Sequence, residues 1–270
     1  MPELPEVETT VAGLRSVLEG ATLTRVEPRR ADLRFPIPVD LRQRLTGATV
    51  TGLSRRAKYG LIGTDRGDML VFHLGMSGRW RIDPAEIGAH DHLLIGTGAG
   101  RLLALNDPRR FGSLDLVRSD MWEAYAPFTR MGPEPLGPDF TPAALARALE
   151  GKATSIKAAL LDQRIVAGLG NIYVCEALNM AGIAPTRAAG KIGRPRLKLL
   201  VEAIRDVLAA AIVAGGSTLR DYARPDGELG YFSNQWRVYG REGEPCPCGG
   251  TVMRRVDGGR STFFCPKCQK

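Results

Sequence analysis

Four of the chain's five cysteines lie within its last 25 residues, at Cys246, Cys248, Cys265 and Cys268, with 16 residues between the second and the third. Two close pairs at that separation form the pattern of a tetrahedral zinc site. Disulfides are the competing reading. The acidic start Met-Pro-Glu-Leu-Pro-Glu-Val-Glu argues against them, because an export signal would open with basic residues. Between the pairs, Thr251 to Val256 and Ser261 to Phe264 have strand composition and are joined by Asp257-Gly258-Gly259, so the sequence predicts a zinc ribbon built on a β-hairpin. A tail of this size, residues 236–270, cannot bury enough apolar surface to fold alone, and one structural Zn²⁺ is expected to supply the missing free energy. Cys175 stands apart in a helical context and reads as a small buried hydrophobe.

The rest of the chain divides by pattern. In residues 1–125, apolar runs recur every 8 to 12 residues with turn residues between them: Leu23 to Glu27, Thr49 to Arg55, Leu61 to Thr64, Met69 to Leu74, Arg79 to Ile82, Leu93 to Gly96, Leu102 to Leu105 and Ser113 to Val117. That rhythm predicts a β-sandwich or barrel. One helix leads it, because Val7, Val11, Leu14, Val17 and Leu18 share a face and Gly20 is a stop. Residues 126–140, rich in Pro and Gly, read as a linker. Residues 141–235 turn helical: Thr141-Pro142 is an N-cap with proline at the first helical position, and Arg194 to Ala214 is amphipathic and closed by Gly215-Gly216. Residues 217–235 read as a long functional loop. The longest apolar stretch, Val207 to Ala214, is too short to span a bilayer, so no membrane role is expected. With 37 Lys and Arg against 29 Asp and Glu and a pI near 9.5, the chain favours a polyanionic partner.

The first residues also form a chemical group. Initiator methionine is normally removed before a small second residue, which would expose the secondary amine of Pro2. An α-amino group titrates at about 7.7–8.0, so much of it is neutral at physiological pH, and a helix N-terminus nearby lowers it further. Its attack on an aldose-like carbon gives a cationic iminium, an electron sink suited to β-elimination. Glu3 and Glu6 have an ordinary place in a first helical turn, but beside such an amine they are candidates for a general acid and a group that positions the amine or a water.

The motifs together resemble the formamidopyrimidine-DNA glycosylase / endonuclease VIII family. The N-terminal string, Arg55-Arg56-Ala57-Lys58-Tyr59, His73-Leu74-Gly75-Met76-Ser77-Gly78, Asp107-Pro108-Arg109-Arg110-Phe111-Gly112, Gly168-Leu169-Gly170-Asn171-Ile172-Tyr173 and the terminal cysteines occur in the family's order across nearly the whole chain. The resemblance implies an α+β multidomain chain: an N-terminal β-sandwich with its leading helix, a helical domain with a helix-two-turns-helix element, and the zinc ribbon, with DNA between them. It implies that Pro2 is the Schiff-base nucleophile and Glu3 the acid that opens the sugar. It casts Lys58 as a strand lysine contacting phosphate and serving β-elimination, and Arg260 as a phosphate contact and proton donor for δ-elimination. Asn171 would bind phosphate at a helix N-cap, and Tyr173, His90 and Lys152 join it as DNA contacts, with Lys157 also directed toward DNA. Met76, Arg109 and Phe111 would fill the hole left by an extruded nucleotide, replacing lost stacking. The sequence departs from the family in one place. Cys246-Pro247-Cys248 has one intervening residue where two are usual, so a tighter knuckle is expected.

The expected function is thus a bifunctional base-excision repair enzyme that removes oxidised purines (8-oxoguanine and formamidopyrimidines) from double-stranded DNA and cleaves the abasic strand by β,δ-elimination through a Pro2 Schiff base. It is expected to be monomeric and cytoplasmic, acting on nucleoid DNA. The alternatives are an endonuclease VIII-like glycosylase for oxidised pyrimidines and a noncatalytic damaged-DNA-binding protein. Binding alone requires no free secondary amine.

Overall fold

The acidic N-terminal string folds into the start of helix α1 (Leu4–Leu18). Pro5 lies in the first turn, where its missing N–H would have had no helical partner. The Glu3 amide donates to Glu6 Oε2 at 2.8 Å, one arm of a capping box. Val7, Val11, Leu14 and Leu18 form one buried stripe, with Val17 partly buried at its edge. Gly20 leaves the helix at φ 76°, a left-handed conformation that favours glycine.

The eight strands read from the sequence are all present, with ends within two residues of those expected. They pair antiparallel as two four-stranded sheets, so the architecture is the sandwich and not the barrel. One sheet has the order β1 (Leu23–Pro28), β6 (Asp91–Thr97), β7 (Leu102–Asn106), β5 (Arg79–Ile82). The other has the order β2 (Val50–Arg56), β3 (Tyr59–Thr64), β4 (Asp68–His73), β8 (Ser113–Arg118). Phe72 and Trp80 meet edge to face at 5.6 Å in a core that also takes the apolar stripe of α1. Each such buried side chain is worth about 2–3 kcal/mol of transfer free energy. The five-residue helix α2 (Leu41–Leu45), pinned by its buried end residues, is too short to show a period in the sequence.

This structure, a computed structural model, describes residues 1–217, 225 and 230–270, so most of the loop expected at 217–235 lies outside the described residues. The sandwich belongs to one unit, residues 1–129 and 214–231, and a second unit holds residues 130–213 and 232–270. In the second unit α3 (Pro142–Leu149) starts as the sequence predicts: Thr141 Oγ1 accepts the Ala144 N–H at 3.1 Å and Pro142 opens the helix. Helix α4 (Ile156–Leu161), the Gly168-Leu169-Gly170 turn and α5 (Asn171–Met180) form the helix-two-turns-helix element. Helix α5 is buried on nearly every side, so it carries no amphipathic period. The long helix α6 (Arg194–Val213) ends at Gly215 and Gly216, both at positive φ. The chain closes with the hairpin β9 (Met253–Asp257) and β10 (Arg260–Phe264), turned through Gly258 and Gly259 at φ 56° and 75°, the two-glycine turn that matches strand twist. Among the described residues no helix is long and apolar enough to cross a membrane.

Candidate active site and nucleic-acid interface

At the head of α1, Pro2, Glu3 and Glu6 are all buried. Both oxygens of Glu6 accept backbone amides: Oε2 that of Glu3, and Oε1 that of Ser217 at 2.8 Å, 211 positions along the chain. One carboxylate therefore fixes the N-terminal segment to Ser217, which itself pairs with Tyr231 in an isolated antiparallel bridge, while Phe232–Gln235, expected as part of the loop, form a short 3-10 helix. Nearby on the same unit, Arg55 donates to Glu8 of α1 at 2.7 Å and to the Ala57 carbonyl at 2.9 Å. Ala57, at φ 52°, and Lys58 form the two-residue turn between the paired residues Arg56 and Tyr59. Lys58 is thus a turn residue, 7% exposed, and not the strand residue that the resemblance implies. A positive φ at a non-glycine costs about 1–2 kcal/mol, and the Arg55 bond across the turn holds it in place.

His73 lies opposite Tyr59, with ring centroids 4.7 Å apart, and its Nδ1 accepts the Gly75 amide at 3.0 Å. Burial, followed by the positive charges of Lys58 and Arg34, draws its pKa from 6.5 down to about 4, so the ring is neutral at physiological pH. Met76 and Phe111 are 36% and 44% exposed, which rules out core packing as their role. The Arg109 guanidinium lies 4.8 Å from the centre of the Phe111 ring, a cation–π contact. His90 is exposed, whereas His92 is buried and its Nε2 meets the Asp107 carbonyl at 2.9 Å. The His-x-His pair is therefore split between surface and interior.

In the second unit, Asn171 is the first residue of α5, and Gly170 holds the N-cap position that the sequence reading gave to the asparagine. Asn171 Nδ2 donates to the Ser261 carbonyl on β10 at 2.8 Å, while its Oδ1 is buried without a hydrogen-bond partner. Lys157, expected to face DNA, is buried instead: its Nζ donates to Thr262 Oγ1 at 2.6 Å and to the same Ser261 carbonyl at 3.2 Å. Tyr173, also placed on DNA, is fully buried with its ring 5.8 Å from Phe232, because the third residue of α5 turns into the core. Lys152 is half-buried and Arg260 exposed. The two residues after Arg260 are held by α4 and α5, so its strand is anchored while its side chain stays accessible.

The four C-terminal sulfurs lie within 4.8 Å of one another, with Cys246–Cys268 at 3.9 Å and Cys248–Cys265 at 3.5 Å. Tetrahedral zinc with bonds of about 2.3 Å needs sulfurs about 3.8 Å apart. The donor set fits, even with the shortened Cys246-Pro247-Cys248 knuckle. A Cβ on Gly250 would fall 2.7 Å from Cys265 Sγ, so glycine leaves room for the thiolate. The Gly250 amide bonded at the Cys248 sulfur favours its thiolate, the metal-binding form. Asn179 Nδ2, from α5, lies 3.9 and 3.8 Å from the sulfurs of Cys246 and Cys268. The four thiolates hold one structural zinc ion.

A sandwich whose N-terminus holds a buried proline and two buried glutamates, joined to a helix-two-turns-helix element and a zinc ribbon, is the domain set of a class of DNA glycosylases. Three family models cover the chain in that order: the formamidopyrimidine-DNA glycosylase N-terminal domain at residues 1–114, the formamidopyrimidine-DNA glycosylase H2TH domain at 131–223, and the zinc finger found in FPG and IleRS at 243–270. The formamidopyrimidine-DNA glycosylases of Rhizorhabdus wittichii and Novosphingobium aromaticivorans are 75% and 67% identical over all 270 residues, covering 100% of both chains in each case. Among solved structures, the MutM (Fpg) protein of Thermus thermophilus is 42% identical, with a TM-score of 0.90 over 99% of this chain and 98% of that one. The wild-type Fpg of Lactococcus lactis, solved with DNA containing N7-benzyl-Fapy-dG, is 35% identical, with a TM-score of 0.92 over 100% of both chains. The chain belongs to the formamidopyrimidine-DNA glycosylase family.

Proposed function

We propose that this protein excises oxidised purines, 8-oxoguanine and formamidopyrimidines, from double-stranded DNA and then cleaves the abasic strand by β,δ-elimination. The observation that carries the reading is the head of α1, where Pro2 is set beside two buried carboxylates, one of them fixed by two backbone amides. Once Met1 is removed, the Pro2 nitrogen bonds to C1′ of the damaged nucleoside, and the base departs with the glycosidic electron pair and takes up the proton that the Pro2 nitrogen releases. Glu3 protonates the sugar ring oxygen, the ring opens, and C1′ becomes an iminium carbon bonded to Pro2. The iminium acidifies C2′–H, loss of that proton expels the 3′ phosphate, and a second elimination expels the 5′ phosphate. Lys58 and Arg260 serve these two steps as phosphate contacts and proton donors, and addition of water to the iminium carbon followed by C–N cleavage frees Pro2.

Met76, Arg109 and Phe111 occupy the space of the extruded nucleotide, a role their exposure supports. Asn171, His90 and Lys152 contact the DNA backbone. The formal charge of +8 suits a phosphate partner, and the Lactococcus lactis Fpg was solved with N7-benzyl-Fapy-dG DNA and with abasic-site DNA. The enzyme acts as a monomer in the cytoplasm. Base release and strand cleavage on matched duplexes bearing 8-oxoguanine, a formamidopyrimidine or an oxidised pyrimidine test the reading. Preference for the purine lesions is the expected result. Efficient release only of pyrimidines, or retention of lesion DNA without cleavage, overturns it.

A further inference from the structure

Three segments far apart in sequence, 73–78, 90–92 and 107–112, carry exposed groups and meet at one residue, Asp107, which is itself 1% exposed: the first and third through its carboxylate, the second through its backbone. Its Oδ1 accepts the Ser77 hydroxyl at 2.6 Å, and its Oδ2 accepts the Gly112 amide at 2.8 Å. Its own amide donates to the His90 carbonyl at 2.9 Å, and its carbonyl accepts from the Arg110 amide at 3.2 Å and meets His92 Nε2 at 2.9 Å. The Ser77 hydroxyl, oriented by Asp107, accepts the Arg109 amide in turn at 3.2 Å. The residues flanking Met76, Arg109 and Phe111 are therefore tied to one another through a single side chain. One conformationally costly position and one that admits only glycine lie within this knot. Arg110 is held at φ 59°, and Gly75, at φ 62°, approaches the Phe111 backbone so closely that a Cβ would fall 2.3 Å from its carbonyl carbon.

We infer that Asp107 is the positioning residue that pre-assembles Met76, Arg109 and Phe111 into one rigid unit before DNA arrives. It touches no substrate. Its charge is desolvated, and two donors satisfy it, so loss of the carboxylate leaves the Ser77 hydroxyl and the Gly112 amide without their acceptor and frees both loops to move separately. Arg109 and Phe111 then lose their fixed offset from Met76, and the energy of ordering them is taken from the binding that stabilises the extruded nucleotide. The inference rests on the proposed hole-filling role of those three residues.

The experiment compares Asp107→Asn, Ser77→Ala, Phe111→Ala and the double variant Asp107→Asn/Phe111→Ala. Each is assayed for single-turnover release of 8-oxoguanine from a duplex and for nicking of a single-stranded oligonucleotide with a preformed abasic site, which has no base to extrude. The asparagine is isosteric but has one acceptor oxygen where the carboxylate uses two, so either the Gly112 amide or the Ser77 hydroxyl loses its acceptor. Its duplex excision should fall about 10- to 100-fold while single-strand nicking stays within about twofold. Ser77→Ala should lose about 3- to 10-fold by the same pattern. If Asp107 acts through the Phe111 loop, the double variant is no slower than the worse single one. Multiplicative losses, or equal losses on both substrates, overturn the inference. If Phe111→Ala leaves duplex excision unchanged, the hole-filling reading itself has failed. If Phe111→Ala slows excision while Asp107→Asn and Ser77→Ala do not, only the positioning role has failed. Should Asp107→Asn not fold, Ser77→Ala decides by the same two readouts.

Discussion

Replacing Glu176 with Ala isolates what holds the ribbon to the helical unit. Its carboxylate, 1% exposed on α5, accepts three successive amides: Arg237 through Oε2 at 2.8 Å, and Val238 and Tyr239 through Oε1 at 3.0 and 2.8 Å. Burial holds its carboxyl above the ordinary range, although all three amides pull the other way. In the Ala variant the fully buried Val238 amide carries the whole penalty of an unmet donor, about 2 kcal/mol. Water can reach the amides of the more exposed Arg237 and Tyr239, so each adds about 0.5 kcal/mol, and the void left by the side chain adds about 1 kcal/mol. The total, about 4 kcal/mol, corresponds to a drop in Tm of roughly 8–16 °C for a domain of this size. Glu176→Gln keeps an acceptor for Val238 and Tyr239 and sets an N–H donor against Arg237, so its cost is about 1 kcal/mol. Calorimetric or fluorescence melting of zinc-loaded protein checks both. An Ala variant that melts within about 1 °C of the parent refutes the reasoning, because the three amides would then not depend on this carboxylate.

His73 is neutral in the fold, with a pKa of about 4 against 6.5 unfolded, so its stabilising contribution is complete above pH 6.5 and declines as pH falls toward 4, by at most about 3 kcal/mol. His73→Gln should remove that part of the slope in denaturation series between those pH values. Gly75→Ala, with φ 62° and the Phe111 backbone in the way, should lower Tm and slow lesion excision together. Stripping zinc should abolish the β9–β10 hairpin and DNA binding, and metal analysis should find about one zinc per chain; retained hairpin signals in metal-free protein would contradict the structural role.

The elements most legible in the sequence are those whose side chains repeat with a simple period. The stripe Val7, Val11, Leu14, Leu18 marks α1, and alternating short runs mark the eight strands, while the cysteine spacing alone identifies the ribbon. Buried helices carry no such signal. Helix α5 faces protein on nearly every side, so nothing local distinguishes Tyr173 as core, and Lys157 looks like a surface lysine until the Ser261 carbonyl and Thr262 hydroxyl are brought to it from more than a hundred residues away. The hidden parts of the candidate site share that property. Glu6 meets Ser217, and Asp107 meets Ser77, only because strand pairing and loop closure bring distant segments together. The exposed groups Met76, Arg109 and Phe111 are visible as motifs, but the carboxylate that ties them is visible only in three dimensions.

Borohydride trapping tests the central claim, that the Pro2 amine forms a covalent iminium with the sugar of the damaged nucleotide. Protein with Met1 verifiably removed is incubated with 8-oxoguanine duplex and sodium borohydride, and the adduct is digested and mapped by mass spectrometry. The account predicts an irreversible protein–DNA adduct on the peptide that begins at Pro2, lost when a non-removable residue is added before it and strongly reduced in Glu3→Gln on lesion DNA. Efficient base release and nicking by protein whose N-terminus is blocked, or an adduct that maps to Lys58, would contradict it.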